Sequence, residues 1–162
     1  MTQSPADPPT TPETADAPDA RAAREALDFA RSVLAAQPFS RLVGARVTAF
    51  GAGEATLEVD VRDELRQQNG YLHGGVLAYA ADNAITFAAG STLGSAVLTG
   101  SVSVQYLRPA LGATLRADAR IVHAGRRQAV CDCTLTMVSA DGGETVCAIG
   151  RGTVLVANGT GA

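Results

Sequence analysis

The stretch "HGGVLAYAADNAITFAAG", His73 to Gly90, limits what this chain can fold into more than any other. From Val76 to Ala89 nearly every position is apolar or small, so a helix over it has no broad polar face to leave in water. The flanking segments follow a different period. "LVGARVTAF" alternates Val43, Ala45, Val47 and Ala49, and "ATLEVDVR" alternates Ala55, Leu57, Val59 and Val61 against Thr56, Glu58, Asp60 and Arg62. Gly51 and Gly53 separate the two, which predicts a hairpin with one wet face. Beyond the helix four more segments alternate, on Val102, Val104 and Tyr106, on Leu115, Ala117, Ala119 and Ile121, on Ala129, Cys131, Cys133, Leu135 and Met137, and along "TVCAIGRGTVLV". "PALGA", "GRR" and "ADGG" punctuate them as turns. The predicted order is strand, strand, helix, then four strands.

An antiparallel sheet with one apolar face needs a cover, and the chain offers a single substantial apolar helix. The sheet is therefore expected to wrap that helix, giving an α+β architecture of about six strands around one long central helix. Its many small residues let strands approach closely. Residues 21–37 carry apolar side chains at helical spacing and stop before Pro38, which adds a short amphipathic helix.

At 162 residues the chain suits one domain with a single core, expected over residues 40–157, with a flexible end at 158–162. The first twenty residues hold five of the seven prolines, four carboxylates and no Lys or Arg, and read as a disordered acidic tail. With no basic start and no apolar run, that tail is not expected to be a secretory signal. A net charge of -3 gives no electrostatic reason to expect nucleic acid. Asp82 and Asn83 interrupt the longest apolar run, so no membrane span is expected, and a cytoplasmic location is. Cys131 and Cys133 share a strand face and Cys147 stands alone, which suits small core residues better than a disulfide, a zinc site or a catalytic thiol.

Asp82 is the anomaly. An unpartnered buried carboxylate costs several kcal/mol, and no Lys, Arg or His lies within one turn of it on the helix. Either the fold supplies a solvent channel or a sheet partner, or function retains the charge; Asn83 and Thr86 read as structural. Just upstream, Gly74 and Gly75 open the helix. Glycine leaves room for a ligand to touch the backbone, and free N–H groups at a helix start carry partial positive charge. This is an oxyanion site in outline, or a plain tight turn.

Gly74 and Asp82 lie eight positions apart, roughly 12 Å along a helix at ~1.5 Å per residue. A carbonyl under attack needs its oxyanion donor at ~3 Å and its attacking group within similar reach. One helix cannot serve both roles for one substrate. If the two residues act together, Gly74 comes from one subunit and Asp82 from another, across a two-fold axis. An obligate homodimer with two composite sites follows, and pairing of dimers into a homotetramer is expected.

The loop "QQNGYLHGG", the helix carrying "DNA" eight residues after Gly74, the strand "VSVQYLRPA" and the closing "GETVCAIGRGTV" together resemble the hotdog-fold acyl-CoA thioesterases, in particular the phenylacetate-pathway thioesterases. The resemblance runs from about Val43 to Val156. It implies a carboxylate base or nucleophile at Asp82 and a backbone N–H at Gly74 that polarises the thioester carbonyl. It places at Gln67 a residue that orients the thioester or water, at Thr99 a hydroxyl beside the carboxylate, and at His73 a buttress for the loop that can also hydrogen-bond near the thioester. Leu72, Tyr79 and Phe87 are candidates for lining the acyl tunnel, and Gly75 is a further candidate for binding the substrate. Arg108, Arg126 and Arg127 are candidates for the phosphates of coenzyme A, or are solvated surface arginines. The expected substrate is an acyl- or aryl-CoA thioester. No metal or organic cofactor is needed, because a thioester already carries a good leaving group. Two rivals are a hydratase of the same fold, which needs a His paired with a carboxylate, and a non-catalytic acyl-CoA-binding protein.

Overall fold

A computed structural model of the chain describes residues 18–157. The expected acidic tail, up to residue 17, and the expected flexible end at 158–162 lie outside the described residues. Residues 18–20 correct the tail boundary, because they are helical: α1 spans Pro18–Ala36 rather than 21–37. Pro18 accounts for the early start, since proline fits the first turn of a helix, where its missing N–H has no partner to lose.

A second correction follows at once. "PFSRLV" forms a short helix, α2 (Pro38–Val43), so Val43 is not the first residue of a strand. Pro38 opens it, and Gly44 closes it in the left-handed conformation at φ +78°, which a residue without Cβ adopts freely. Only then do β1 (Ala45–Gly51) and β2 (Glu54–Asp60) form their hairpin. A register shift between Val47 and Ala49 breaks the expected alternation, leaving Ala49 exposed and turning Phe50 partly inward. A short 3-10 turn (Asp63–Leu65) leads to the long helix α3 (Gly74–Leu93). The remaining strands are β3 (Val97–Tyr106), β4 (Thr114–Ala124), β5 (Gln128–Val138) and β6 (Glu144–Val156).

All six strands pair antiparallel in the order β1-β2-β4-β5-β6-β3, and α3 packs across their inner face. The α+β arrangement is the one expected. Leu57, Val59, Leu115, Ala117, Cys131, Leu135 and Val154 point inward onto Leu77, Ala81, Ala84, Ile85 and Ala88, all of them buried. The helix lies close to β6 because "IGRG" presents two glycines to it. A Cβ on Gly150 would sit 3.4 Å from the Ala81 Cβ, and one on Gly152 would meet Ile85 at 3.2 Å and the Ser101 carbonyl oxygen at 2.7 Å.

The two outer strands are finished differently. α1 buries Ala30 and Leu34 against the core beside β1, and the Arg31 guanidinium donates to the Val47 carbonyl at 3.2 Å. β3 has no such cover. Val102, Val104 and Tyr106 pair with Gly152, Gly150 and Ala148 and so face the α3 side, as their spacing predicts. Only Val104 of the three is partly buried against the core; Tyr106 is 54% exposed and Val102 39%.

Candidate active site

The loop before α3 is tied down by its backbone. Leu72 N–H donates to the Ala110 carbonyl and His73 N–H to that of Leu65, while Gln67 N–H and Gly70 N–H close a tight turn over residues 67–71. Gly70 takes φ +83°, which a side chain would strain. The Gln67 carboxamide oxygen accepts the Asn69 N–H at 2.5 Å. The NH2 group of Gln67 has no partner among the described residues, and it can only donate.

His73 is the N-cap of α3, and its ring Nδ1 accepts the Gly75 N–H at 2.9 Å. A Cβ on Gly75 would stand 3.0 Å from that nitrogen, so glycine is what lets the ring close over the helix start. The cap leaves the neighbouring amide alone: among the described residues the Gly74 N–H has no acceptor. The Tyr106 hydroxyl donates to the Gly74 carbonyl at 2.9 Å, and its ring lies where a Gly74 Cβ would touch it. The peptide is thus held from both sides while its N–H stays available. A cavity of about 310 Å³ opens here, lined by Gln67, Leu72, Gly74, Tyr106 and Arg108 among others.

Asp82 answers the question its burial raised. α3 is not enclosed on all sides. Tyr79, Asp82, Asn83 and Thr86 fall on one half-exposed stripe, and Asp82 and Thr86 on it meet Thr99 of β3. The carboxylate has a sheet partner: Thr99 Oγ1 donates to Asp82 Oδ1 at 2.6 Å, and Thr86 Oγ1 lies 3.0 Å from Thr99 Oγ1. The Thr86 hydroxyl also donates to the Asp82 carbonyl at 2.8 Å. Thr99 reaches this face through a bulge at Gly100, where the pairing of β3 with β6 slips between Thr99 and Ser101. Without the slip Thr99 would share the outer face with Ser101 and Ser103. Oδ2 of Asp82 has no partner among the described residues and is the oxygen open to chemistry.

The expected site residues therefore fall into two groups. Gln67, Leu72, His73, Gly74, Gly75 and Arg108 gather at the start of α3. Asp82 and Thr99 gather two turns on, about 12 Å along the helix. Arg126 and Arg127 form the exposed β4–β5 turn, at the end of the sheet that holds Val97 and Val156. That is the end nearer Thr99 and the opposite end from Arg108. Tyr79 sits on the stripe, its ring edge-on to Phe39 at 5.3 Å. Its hydroxyl is buried beside Ser40 without a well-formed hydrogen bond, and that burial pushes the phenol pKa up. Phe87 faces away from this surface, into a cleft shared with α1.

Tyr106 and Thr86 are the members that spacing alone does not single out. Tyr106 reads as one more alternating residue of its strand, and its only signal is its place two residues before Arg108. The other reactive side chains stand apart. His123 lies at the exposed end of β4 and hydrogen-bonds no carboxylate among the described residues. The Cys131 and Cys133 thiols are buried, which pushes them up to about 11 and about 12, so neither is a nucleophile near neutral pH. A cavity of about 470 Å³ on the outer sheet face is crossed by the Asp132–Arg151 ion pair and holds none of the expected residues. No described helix is long and apolar enough to cross a membrane.

Comparison with known proteins finds relatives among thioesterases. The family model described as the thioesterase superfamily matches residues 69–147, which contain both glycines, Asp82, Thr99 and Tyr106. A putative esterase of Mycobacterium tuberculosis is 31% identical over 104 residues, 61% of this chain and 74% of that protein. Among solved structures, a thioesterase family protein from Silicibacter pomeroyi superposes with a TM-score of 0.75 at 31% identity, covering 80% of this chain and 96% of that one. A variant of the phenylacetic acid degradation protein PaaI from Thermus thermophilus does so with a TM-score of 0.63 at 32% identity, covering 74% and 98%.

Proposed function

Because the chain belongs to the thioesterase superfamily, as a thioester hydrolase of the hotdog, PaaI-like kind, we propose that it hydrolyses acyl-coenzyme A thioesters in sites shared between two copies. The observation that carries this reading is the division of the site. The Gly74 N–H, which has no acceptor among the described residues, and the Asp82 carboxylate, whose Oδ2 has no partner among them, sit on the same helix too far apart for one carbonyl. Two antiparallel copies bring Gly74 of each to Asp82 of the other. The open inner edge of β3 and the half-exposed stripe of α3 are the surfaces such a pair would cover.

In that arrangement the thioester oxygen accepts the Gly74 N–H of one copy and the NH2 of its Gln67, so negative charge developing there meets fixed donors. The carboxylate of the other copy acts through Oδ2, with Thr99 holding Oδ1. As a base it takes a proton from water, whose oxygen bonds to the carbonyl carbon. The tetrahedral intermediate then expels the thiolate, and the proton passes to sulfur. As a nucleophile, the same oxygen bonds to the carbonyl carbon and expels the thiolate, leaving a mixed anhydride that water cleaves to the same two products. Single turnover in 18O-labelled water tests for the second route, since label in the Asp82 side chain requires water to cleave an anhydride at the Asp82 carboxyl carbon. Arg108 of one copy, with Arg126 and Arg127 of the other, would take the coenzyme A phosphates. The reaction calls for no cofactor beyond the coenzyme A portion of the substrate.

The test is release of free thiol from a panel of acyl-CoA substrates. Asp82→Asn is expected to lower kcat by about 10²- to 10⁴-fold while circular dichroism and assembly size stay as in the wild type. Turnover that survives in Asp82→Asn, or wild-type protein that binds acyl-CoA without releasing thiol, refutes the reading.

A further inference from the structure

The cleft between α1, α3 and the start of β3 plays no part in the chemistry just described. Its volume is about 160 Å³, and its walls are Phe29 and Val33 of α1, Phe50 of β1, Thr86 and Phe87 of α3 and Val97 of β3. The Phe50 and Phe87 rings meet edge to face at 6.2 Å, which makes one wall stiff and flat-sided. Thr86 belongs both to the cleft and to the hydroxyl pair that carries Asp82, so the cleft is one residue removed from the reactive carboxylate. On the other side Phe29 and Val33 stand four residues apart on one face of α1, and Ala30 beside them is buried to 1% exposure and anchors the helix. Phe29 itself is 55% exposed, an aromatic ring at the rim of the cleft.

We propose that this cleft receives the acyl group of the thioester and that α1, through Phe29 and Val33, selects which acyl groups enter. The proposal rests on the thioesterase reading above and adds the substrate class to it. An apolar cavity of ~150 Å³ takes a benzene ring, so a cleft of this size fits one six-membered ring or a branched chain of about five or six carbons and stops a long fatty chain. The selecting helix lies outside residues 69–147, which the family model matches, while the opposite walls of the cleft, Thr86, Phe87 and Val97, lie inside them.

The experiment measures kcat/KM by thiol release for acetyl-, 3-methylbutanoyl-, phenylacetyl- and dodecanoyl-CoA, in the wild type and in Phe29→Ala and Val33→Phe. The wild type is expected to favour the two middle substrates over dodecanoyl-CoA by tenfold or more, on the order of what pocket fit supplies. Val33→Phe, which fills the cleft, is expected to lower the phenylacetyl-to-acetyl ratio about tenfold. Phe29→Ala, which opens the rim, is expected to raise the dodecanoyl-to-acetyl ratio by a similar factor. Because Phe29 is largely exposed, that variant keeps the fold even if the filled one does not. An active wild type that prefers dodecanoyl-CoA, or whose acyl ratios are the same in Phe29→Ala, overturns the proposal and leaves the thioesterase reading standing. A wild type that hydrolyses none of the four overturns both.

Discussion

Gly74 is held by two side chains that leave its amide alone. His73 caps the next residue and Tyr106 takes the carbonyl, so the N–H points out of the helix start without a partner among the described residues. This makes a clean substitution available. Gly74 is the first residue of α3, where proline is tolerated, and His73 already has the extended backbone that a residue before proline needs, at φ −63° and ψ 134°. Gly74→Pro removes the amide proton and little else. It is expected to lower kcat by about 10²- to 10³-fold with an unchanged melting temperature, and undiminished turnover would remove Gly74 from the mechanism. Asp82 and Gly74 were legible before any coordinates because their residue types clash with their surroundings. Thr99 was legible only through the family resemblance, since its orientation depends on a one-residue bulge that alternation does not reveal. Tyr106 was read only as one more alternating residue of its strand, since nothing in its spacing says that its hydroxyl reaches the first residue of α3.

At the scale of elements, the fold rests on how near α3 comes to β6. Ala81 and Ile85 on the helix meet Gly150 and Gly152 on the strand, and a Cβ at position 152 would lie only 2.7 Å from the Ser101 carbonyl oxygen. Gly152→Ala therefore has to push β3 and β6 apart or shift α3. A loss of about 1–3 kcal/mol is expected, read from the midpoint of urea unfolding, whereas Gly142→Ala in an open turn should be limited to its backbone strain at φ +87°. Equal costs for the two would mean that the close approach is not what requires glycine at 152. The strand order could be anticipated because apolar alternation and turn residues agree along most of the chain. Alternation failed at "LVGAR", where Pro38 and Gly44 bracket a helix of six residues. Those brackets were visible, but a run that short carries too little periodicity to outweigh the alternating residues after it. The start of α1 was missed because Pro18 and Asp19 share the composition of the tail before them.

For the molecule as a whole, the two edges of the sheet decide what state can work. β1 is closed off by α1 and Arg31, while β3 keeps apolar side chains in water and its outward amides and carbonyls without mates in the sheet. A shared site predicts complementation. Protein carrying Asp82→Asn, unfolded and refolded with an equal amount carrying Gly74→Pro, should form heterodimers with one intact site and one doubly defective site. With random pairing about half of the dimers are mixed, so the mixture should recover about a quarter of wild-type activity, where each parent alone has almost none. Purified heterodimers without activity would rule out sharing.

The bare inner edge of β3 also sets a lower limit on working concentration. An enzyme whose parts all sit in one chain keeps the same rate per molecule however far it is diluted. Here stepwise dilution should make the rate per molecule fall once copies separate, while the folded signal of each chain persists, and the midpoint of that fall would report how tightly two copies hold one another.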